Sequence, residues 1–541
     1  MVKNKYLFIS FALLILVACA SGLKEQMLDY RKSLERNDFP KAQSILEKSD
    51  LKKDSKSALL WHLENGSINL IQKNYDEAIN HFQTAIDLID EFYTTKISTV
   101  LVSAVLDDSK DNFTGAGYER SLAYYYLSRS YYEKYLSTGD RKDLFGARAA
   151  ILAWDSYFQQ VARSGTKSIY RSDLLLKVFG AQIHEQIQSR SDSQIALQLY
   201  KDALQMAGTF GGVYQYFNSQ SKDYIKAMEA GKGEKKFIKT QGHEDFIDFL
   251  KYKILSLTYE SRRYEFDKMV RDLKAGPEIV QRAKKSPNVR IILEEGLIAP
   301  KVGKEFNFGI KGAIDKVDDP KTKEAIRKHG VPMIGAFAMN VLGLVPKNVT
   351  SPGSFIFAHQ VATIAVSEMA IQFEMPMIEE RPPLKRLGLY VLDENSKVLE
   401  IRPLALITQT SDLARMILEE EAVYEYTRRG ARVALKHLTA IAAAFTLYNQ
   451  FKTPDNDFIA RSVALASYVG ASKVIAKLEE ADTRQWVSLP EGIRLQEFSL
   501  PPGKYQFALG IYENGSWGES PSKKLGDVEV TSSTTLFNFR L

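Results

Sequence analysis

Apolar positions between residues 25 and 275 recur at helical spacing, and Pro40 is the only proline in that stretch. Recurrence at i, i+3 and i+4 without a breaker predicts helix after helix. Leu122, Tyr126 and Arg129 or Ser130 keep that spacing, and Tyr131 and Tyr135 lie one turn apart. Near Pro287 the period changes. Residues 289–293 (VRIIL) read as a strand, and 306–310 (FNFGI) alternate with period two. A hairpin is expected from 387–392, the turn residues Asp393-Glu394-Asn395-Ser396, and 398–407. Residues 411–450 return to helix through Leu413, Met416, Ile417 and an alanine-rich stretch at 440–444, and 460–478 form a further helix. Beyond Leu495, Phe498 and Leu500 the chain reads as strand. Tyr505, Phe507, Leu509 and Ile511 alternate with Gln506, Ala508 and Gly510, and Asn514-Gly515 is a two-residue turn signal. Val528 and Val530, then Phe537, Phe539 and Leu541, alternate again. The expected fold class is α+β: a helical domain over 25–275, then a mixed domain over 287–541. Its C-terminal strands, from about residue 490, form a small antiparallel sheet or sandwich that shares its core with the strands near 290 and 390.

Within the helical half, Gly66, Ala78, Phe82 and Ala85 stand at offsets of 12, 16 and 19 from the glycine. Small residues let two helices approach, and the aromatic fills the space between them. The pattern resembles the second half of a tetratricopeptide repeat, with Tyr75 three residues before Ala78 and Asn74 at the turn. Asp38-Phe39-Pro40-Lys41-Ala42 is a related arrangement. Ala196, Tyr200 and Ala203 repeat the later spacings, although His184 stands where the glycine belongs. His62 and Asn65 occupy the places of the early Trp and Leu. The resemblance implies a tetratricopeptide-like helical repeat domain that offers a protein-binding surface.

Aromatic residues crowd 118–158: Tyr124, Tyr125, Tyr126, Tyr131, Tyr132, Tyr135, Trp154, Tyr157 and Phe158. Two readings fit them. They are a core between stacked helices, or a groove that docks a peptide or glycan on exposed rings.

The amino terminus carries a different signal. Lys3 and Lys5 precede an apolar run from Tyr6 to Val17, interrupted only by Ser10. That order reads as a secretory signal peptide over 1–18, too short for a membrane span. Leu16-Val17-Ala18-Cys19 resembles the bacterial lipobox, and Cys19 is the only cysteine. The resemblance implies cleavage before Cys19, lipidation of its thiol and acylation of the new terminus, leaving residues 19–24 as a tether. Several acyl chains anchor stably where one does not. Ala20 and Ser21, with no Asp beside the cysteine, resemble the signal for the outer membrane, with the chain facing the periplasm.

Removal of residues 1–18 leaves 523 of 541 residues, enough for several cores. Once Cys19 is lipidated no disulfide can form, so stability rests on packing. The net charge of +6 falls to +4 without Lys3 and Lys5. Over so long a chain this does not indicate nucleic acid. The run Lys232–Lys239 reads as a solvated loop. Arg428, Arg429, Arg432, Lys436 and His437 interrupt the alanine-rich helix and exclude a membrane span there.

The search for chemistry finds no G-x-S-x-G and no Walker loop, and Gly115-Ala116-Gly117 lacks the third glycine of a dinucleotide fingerprint. His62, His81, His184, His243, His329, His359 and His437 form no local metal-ligand pair. Glu294/Glu295, Glu379/Glu380 and Glu419/Glu420/Glu421 are the candidate carboxylate pairs. Neighbours on a strand face opposite sides, so Glu294 and Glu295 cannot act together. The Glu419 run reads as a solvated helix face. The expectation is therefore no catalytic residue, no cofactor and no metal, and Cys19 as the one modified residue.

The order of the pieces resembles an uncharacterised family of bacterial lipoproteins. It carries helical repeats, then Asn288-Val289, Glu295-Gly296-Leu297 and Pro300, then Asp482-Thr483-Arg484-Gln485-Trp486 and Leu500-Pro501-Pro502-Gly503-Lys504-Tyr505. The resemblance supplies no activity. The functional expectation is a membrane-anchored scaffold that binds an envelope protein or peptide through its helical repeats. The alternative is a cell-envelope enzyme acting on glycan or peptide, with a site in 287–541.

Overall fold

The computed structural model describes residues 22–99, 112–163, 170, 172–208, 242–308, 371–418, 433, 436, 440, 443, 444, 446–453, 455–478 and 480–541. Cys19, the 232–239 run, Glu419–Glu421, His329, His359 and His437 lie outside them. The fold is mixed α+β.

Helix α1 spans 22–35, followed by α2 (Phe39–Lys48) and the single turn α3 (Asp50–Lys53). Asp38 caps α2, its carboxylate accepting from the Lys41 amide, and Pro40 sits in the first turn where no N–H is needed. Three antiparallel helix pairs follow: α4 (Ala58–Ile71) with α5 (Tyr75–Thr99), α6 (Gly117–Thr138) with α7 (Arg141–Arg163), and α8 (Leu174–Ile187) with α9 (Arg190–Gly208). Then come α10 (His243–Ser261), α11 (Phe266–Leu273) and α12 (Pro277–Ala283).

The two helices of each pair differ in kind. Helices α4, α6 and α8 are buried almost all round, whereas α5 and α7 alternate buried and exposed turns. A helix buried on every side needs a second layer on its far face. Close approach within the pairs rests on glycine. A Cβ on Gly66 would lie 2.7 Å from the Phe82 ring, and one on Gly146 would lie 2.8 Å from Tyr131. In the third pair Ala196, Tyr200 and Ala203 are buried, and His184 reaches Asp192 at 2.6 Å.

The second layer is a four-stranded sheet. Its strands, in the order β11-β1-β7-β6, are β1 (Val289–Glu295), β6 (Ala405–Gln409), β7 (Gly492–Phe498) and β11 (Thr535–Arg540). β1 runs antiparallel to β7 and parallel to β11. A five-stranded sheet forms the third layer: β4 (Leu387–Leu392), β5 (Val398–Pro403), β8 (Gly503–Glu513), β9 (Ser516–Trp517) and β10 (Lys523–Val530). Asn514 and Gly515 both take positive φ, 52° and 84°, and close the β8–β9 hairpin as expected. β2 (Lys301–Phe308) and β3 (Ile371–Ile378) make a separate antiparallel ribbon. Helix 410–418 and α13 (Asp457–Leu478) complete the described elements used below.

The expected strand over 398–407 is two strands. The chain leaves the five-stranded sheet after Pro403, buries Leu404 completely and enters the four-stranded sheet at Ala405. The Leu404 amide donates to the Leu387 carbonyl and holds that crossing. One apolar core runs from the helix pairs through Ile292, Leu297 and Ile298 to Trp486, Ile493 and Leu495. It is continuous across Pro287, where the sequence pattern changes. A second core, between the two sheets, holds Val289, Ile291, Leu293, Leu389, Val391, Phe498, Phe507 and Leu509.

Candidate functional site

The inner surface of the helix pairs is where a repeat array would hold a partner, and here it holds the chain itself. The segment before β7 lies across α4 and α6. Trp486 is fully buried, with ring centroids 5.4 Å from Tyr126 and 6.0 Å from Phe82. Its indole N–H donates to Ser67 and Ser488. Two buried carboxylates grip the backbone beside it. Glu119 accepts the Trp486 amide at 2.8 Å, and Glu64 accepts the amides of Val487 at 2.5 Å and Ser488 at 3.2 Å. Tyr30 donates to the same Glu64 carboxylate at 2.9 Å. Among the described residues no cation neutralises Glu64 at hydrogen-bond distance, and its burial pushes its pKa up to about 7 despite those donors.

Deeper in, two ion groups join the helices to β1, β7 and β11. Glu294 accepts from Tyr126 at 2.7 Å, from Arg129 at 2.6 Å and from Arg540 at 3.1 Å, while Arg129 also donates to Glu133 at 2.6 Å. Glu497 accepts from Arg290 at 2.7 Å, from Lys253 at 2.5 Å and from Gln182 at 2.6 Å. Lys253 donates also to Glu185 at 2.8 Å, and Arg290 donates to the Tyr132 hydroxyl at 2.7 Å. Each group pairs two cations with two carboxylates, so the charge balances where water is excluded. Burial raises the pKa of Glu497, but Arg290 and Lys253 outweigh it and hold the carboxylate well below its usual range. Burial likewise raises Glu294, and Arg129 and Arg540 bring it below its ordinary value. Glu294 and Glu497 stay ionised and fully engaged, whereas burial raises Glu133 above its ordinary value and Glu185 to about 7; the geometry of both groups fastens layers.

The sequence candidates fall as follows. Glu294 and Glu295 face opposite sides of β1, the first towards Arg129 and the second towards Arg494 at 2.7 Å. Glu379 and Glu380 are exposed. The aromatic run is core: Tyr124, Tyr125, Tyr126, Tyr132, Trp154, Tyr157 and Phe158 are buried, and Tyr131 and Tyr135 are half-buried against them. His184 pairs with Asp192. His62 and His81, separated by 19 residues, meet at 3.0 Å across α4 and α5. Local spacing could not reveal that pair, because the hairpin between the helices creates it. Among the described residues no group of three or more His, Cys, Asp or Glu is arranged to hold a metal ion. No described helix is long and apolar enough to cross a membrane.

A cleft of about 500 Å³ opens where α10 begins beside the β8–β9 turn, lined by Gly242, Glu244, Lys385, Arg386, Tyr512 and Glu513 among others. Asp245 holds Arg386 in a two-pronged pair at 2.6 and 2.7 Å, and the guanidinium lies 4.4 Å from the Tyr512 ring centre. Lys385 donates to Glu513 at 2.7 Å. Both cations that line the cleft, Lys385 and Arg386, are thus paired.

No family model matches the chain, and no curated protein or solved structure matches it either.

Proposed function

We propose that this protein is an outer-membrane lipoprotein, anchored through Cys19 and facing the periplasm, whose tetratricopeptide-like helix pairs form a scaffold for an envelope protein or peptide. The reading of the pairs is supported by Gly66 seated on Phe82, with Ala78 and Ala85 buried beside it. The observation that carries the scaffold reading is the division of labour between helices. The chain's own Trp486 segment and first sheet cover α4, α6 and α8, so a partner meets the outer helices. There α7 presents Phe145 and Leu152, 42% and 51% exposed. Arg141 and Arg148 lie within 5.8 and 5.5 Å of the Phe145 ring centre. An exposed aromatic flanked by arginines is the residue set that anchors protein interfaces.

The test is a photo-crosslinking side chain placed at Phe145 or Leu152 in the lipidated protein within its native envelope. A discrete adduct from these positions, missing from a probe at the exposed Tyr264, is the expected result. No adduct, or the same adducts from all three positions, refutes docking on α7. Mass spectrometry of the mature protein should show an acylated Cys19, and Cys19→Ser should abolish it; an unmodified terminus elsewhere removes the anchor from the proposal.

A further inference from the structure

His62 and His81 have no part in the clamp or in the ion groups. The repeat pattern calls for an apolar residue near position 62, and the chain places an imidazole there instead. The two rings approach through the same atom, Nδ1 to Nδ1 at 3.0 Å, with centroids 5.2 Å apart and planes at 50°. Trp61 stands edge-on to both, at 4.9 and 5.3 Å. Both rings are half-buried, so the pair opens to solvent on one side.

With metal bonds of roughly 2.05 Å to imidazole nitrogen, ligands 3.0 Å apart subtend about 94° at the metal. A tetrahedral centre, at about 109°, needs ligands roughly 3.3 Å apart at the same bond length. The separation is within reach of a shared metal ion, and imidazole suits Cu²⁺, Ni²⁺ and Zn²⁺ alike. Stability among these ions is greatest for Cu²⁺.

We propose that His62 and His81 form a two-imidazole site for a transition-metal cation, Cu²⁺ before Ni²⁺, bridging α4 and α5. Without metal, one Nδ1–H donates to the other ring's lone pair. On binding, that proton moves through solvent to Nε2 of the same ring, so both imidazoles stay neutral and each Nδ1 lone pair faces the cation. Water fills the remaining positions. Burial lowers the pKa of both rings, that of His62 to about 4, which keeps them unprotonated and ready to bind at neutral pH. Glu77, one turn before His81 on α5, and Glu47 on α2 oppose that lowering at His81, and the same negative field attracts a cation. Lys52, bound to Glu47 at 2.5 Å and lying over Trp61, is the nearby opposing charge.

The test titrates the full-length protein, without an affinity tag, with CuCl₂, NiCl₂ and ZnCl₂. One equivalent of Cu²⁺ should bind, quench part of the tryptophan emission, and show nitrogen couplings from two imidazoles by electron paramagnetic resonance. The quenching should vanish in Trp61→Phe. His62→Ala and His81→Ala should each weaken binding at least tenfold, while His243→Ala should leave it unchanged. Cu²⁺ should raise the melting temperature of the parent and not that of His81→Gln, a readout that survives if an alanine variant folds poorly. No saturable binding, binding unchanged in both histidine variants, or Zn²⁺ held more tightly than Cu²⁺ would overturn the assignment.

Discussion

The two faces of the four-stranded sheet are built from neighbouring residues of the same strands, yet they bind their layers in opposite ways. Towards the five-stranded sheet, Val289, Ile291, Leu293 and Phe498 meet Leu389, Val391, Phe507 and Leu509 in an apolar core. Towards the helices, Arg290, Ile292 and Glu294 of β1 stand opposite Glu497, Leu495 and Ile493 of β7. Apolar burial is non-directional and contributes roughly 25 cal/mol per Å² wherever the area is covered. Buried ions contribute little net stability, because desolvation offsets attraction, but they penalise heavily any arrangement that leaves one unpaired. One face is thus held by area alone, and the other adds buried charge, which sets register, to the apolar core it shares with the helices.

The largest expected effect separates these cases. Glu497→Leu leaves Arg290 and Lys253 facing Glu185 alone, and breaking such a pair should cost about 3–5 kcal/mol. Phe507→Ala, emptying a buried aromatic site on the other face, should cost a similar amount, roughly 3–5 kcal/mol. Rescue distinguishes them. Adding Lys253→Met to Glu497→Leu leaves Arg290 and Glu185 as a balanced pair, already 3.5 Å apart. Urea unfolding should then recover at least half of the loss. If the two losses simply add, the charges on the helix face act independently and the contrast between the faces fails.

This contrast also marks how far the sequence was legible. A strand-like apolar run located β1, the turn residues at 393–396 located β4, alternation located β8, and Asn514-Gly515 located the β8–β9 turn, because those signals are local. Helical spacing located the helix pairs, and the crowded aromatics are core, one of their two readings. The crossing at Leu404 was hidden: apolar residues continue on both sides of Pro403, which fits one long strand as well as two strands in different sheets. The ion groups were hidden for a different reason. Arg129 and Glu294 are 165 residues apart, and Lys253 and Glu497 are 244 apart. One clue was present. Arg290 and Glu294 share a face of a strand otherwise rich in Val, Ile and Leu, and a charge on a doubly covered strand demands a partner from the covering layer. The Trp486 segment gave no periodic signal, since its backbone is held by carboxylates and not by a ladder.

Phe82 tests the junction between the pair and the clamp, since it touches Gly66 on one side and Trp486 on the other. Phe82→Ala should cost roughly 3–5 kcal/mol in urea unfolding, within the range for a buried aromatic. Gly66→Leu acts in the opposite sense by forcing a side chain into the ring, and should cost about 1–3 kcal/mol or more. Both losses should be insensitive to pH between 5 and 8, because no titrating group is removed. Variants that melt like the parent would mean that α4 and α5 do not pack through this contact.

The smallest expected effect, per unit of pH, comes from Glu64. Burial raises its folded-state pKa from the ordinary carboxylate value of about 4.5 to about 7, so between those values the folded chain keeps a proton that the unfolded chain releases. Stability from this group is therefore fully present below pH 4.5 and is lost as pH rises through about 7, with a slope of up to about 1.4 kcal/mol per pH unit. Glu491, raised by burial to about 7, adds a slope of the same sign. Glu497 works in the other direction: its pKa is depressed, so its contribution is present above the ordinary carboxylate range and is lost only in acid below it. Glu64→Gln removes the first slope while keeping one oxygen to accept the Val487 amide; the Ser488 amide, which bonds the other oxygen at 3.2 Å, loses that acceptor. Its amide nitrogen can donate to the Tyr30 hydroxyl. The variant should match the parent near pH 5 and exceed it near pH 8, read as urea midpoints across that interval. Phe507→Ala should lower the whole curve and leave its shape intact. Parallel curves for Glu64→Gln and the parent would mean that Glu64 is ionised throughout, and that the clamp grips the Trp486 segment with a full negative charge.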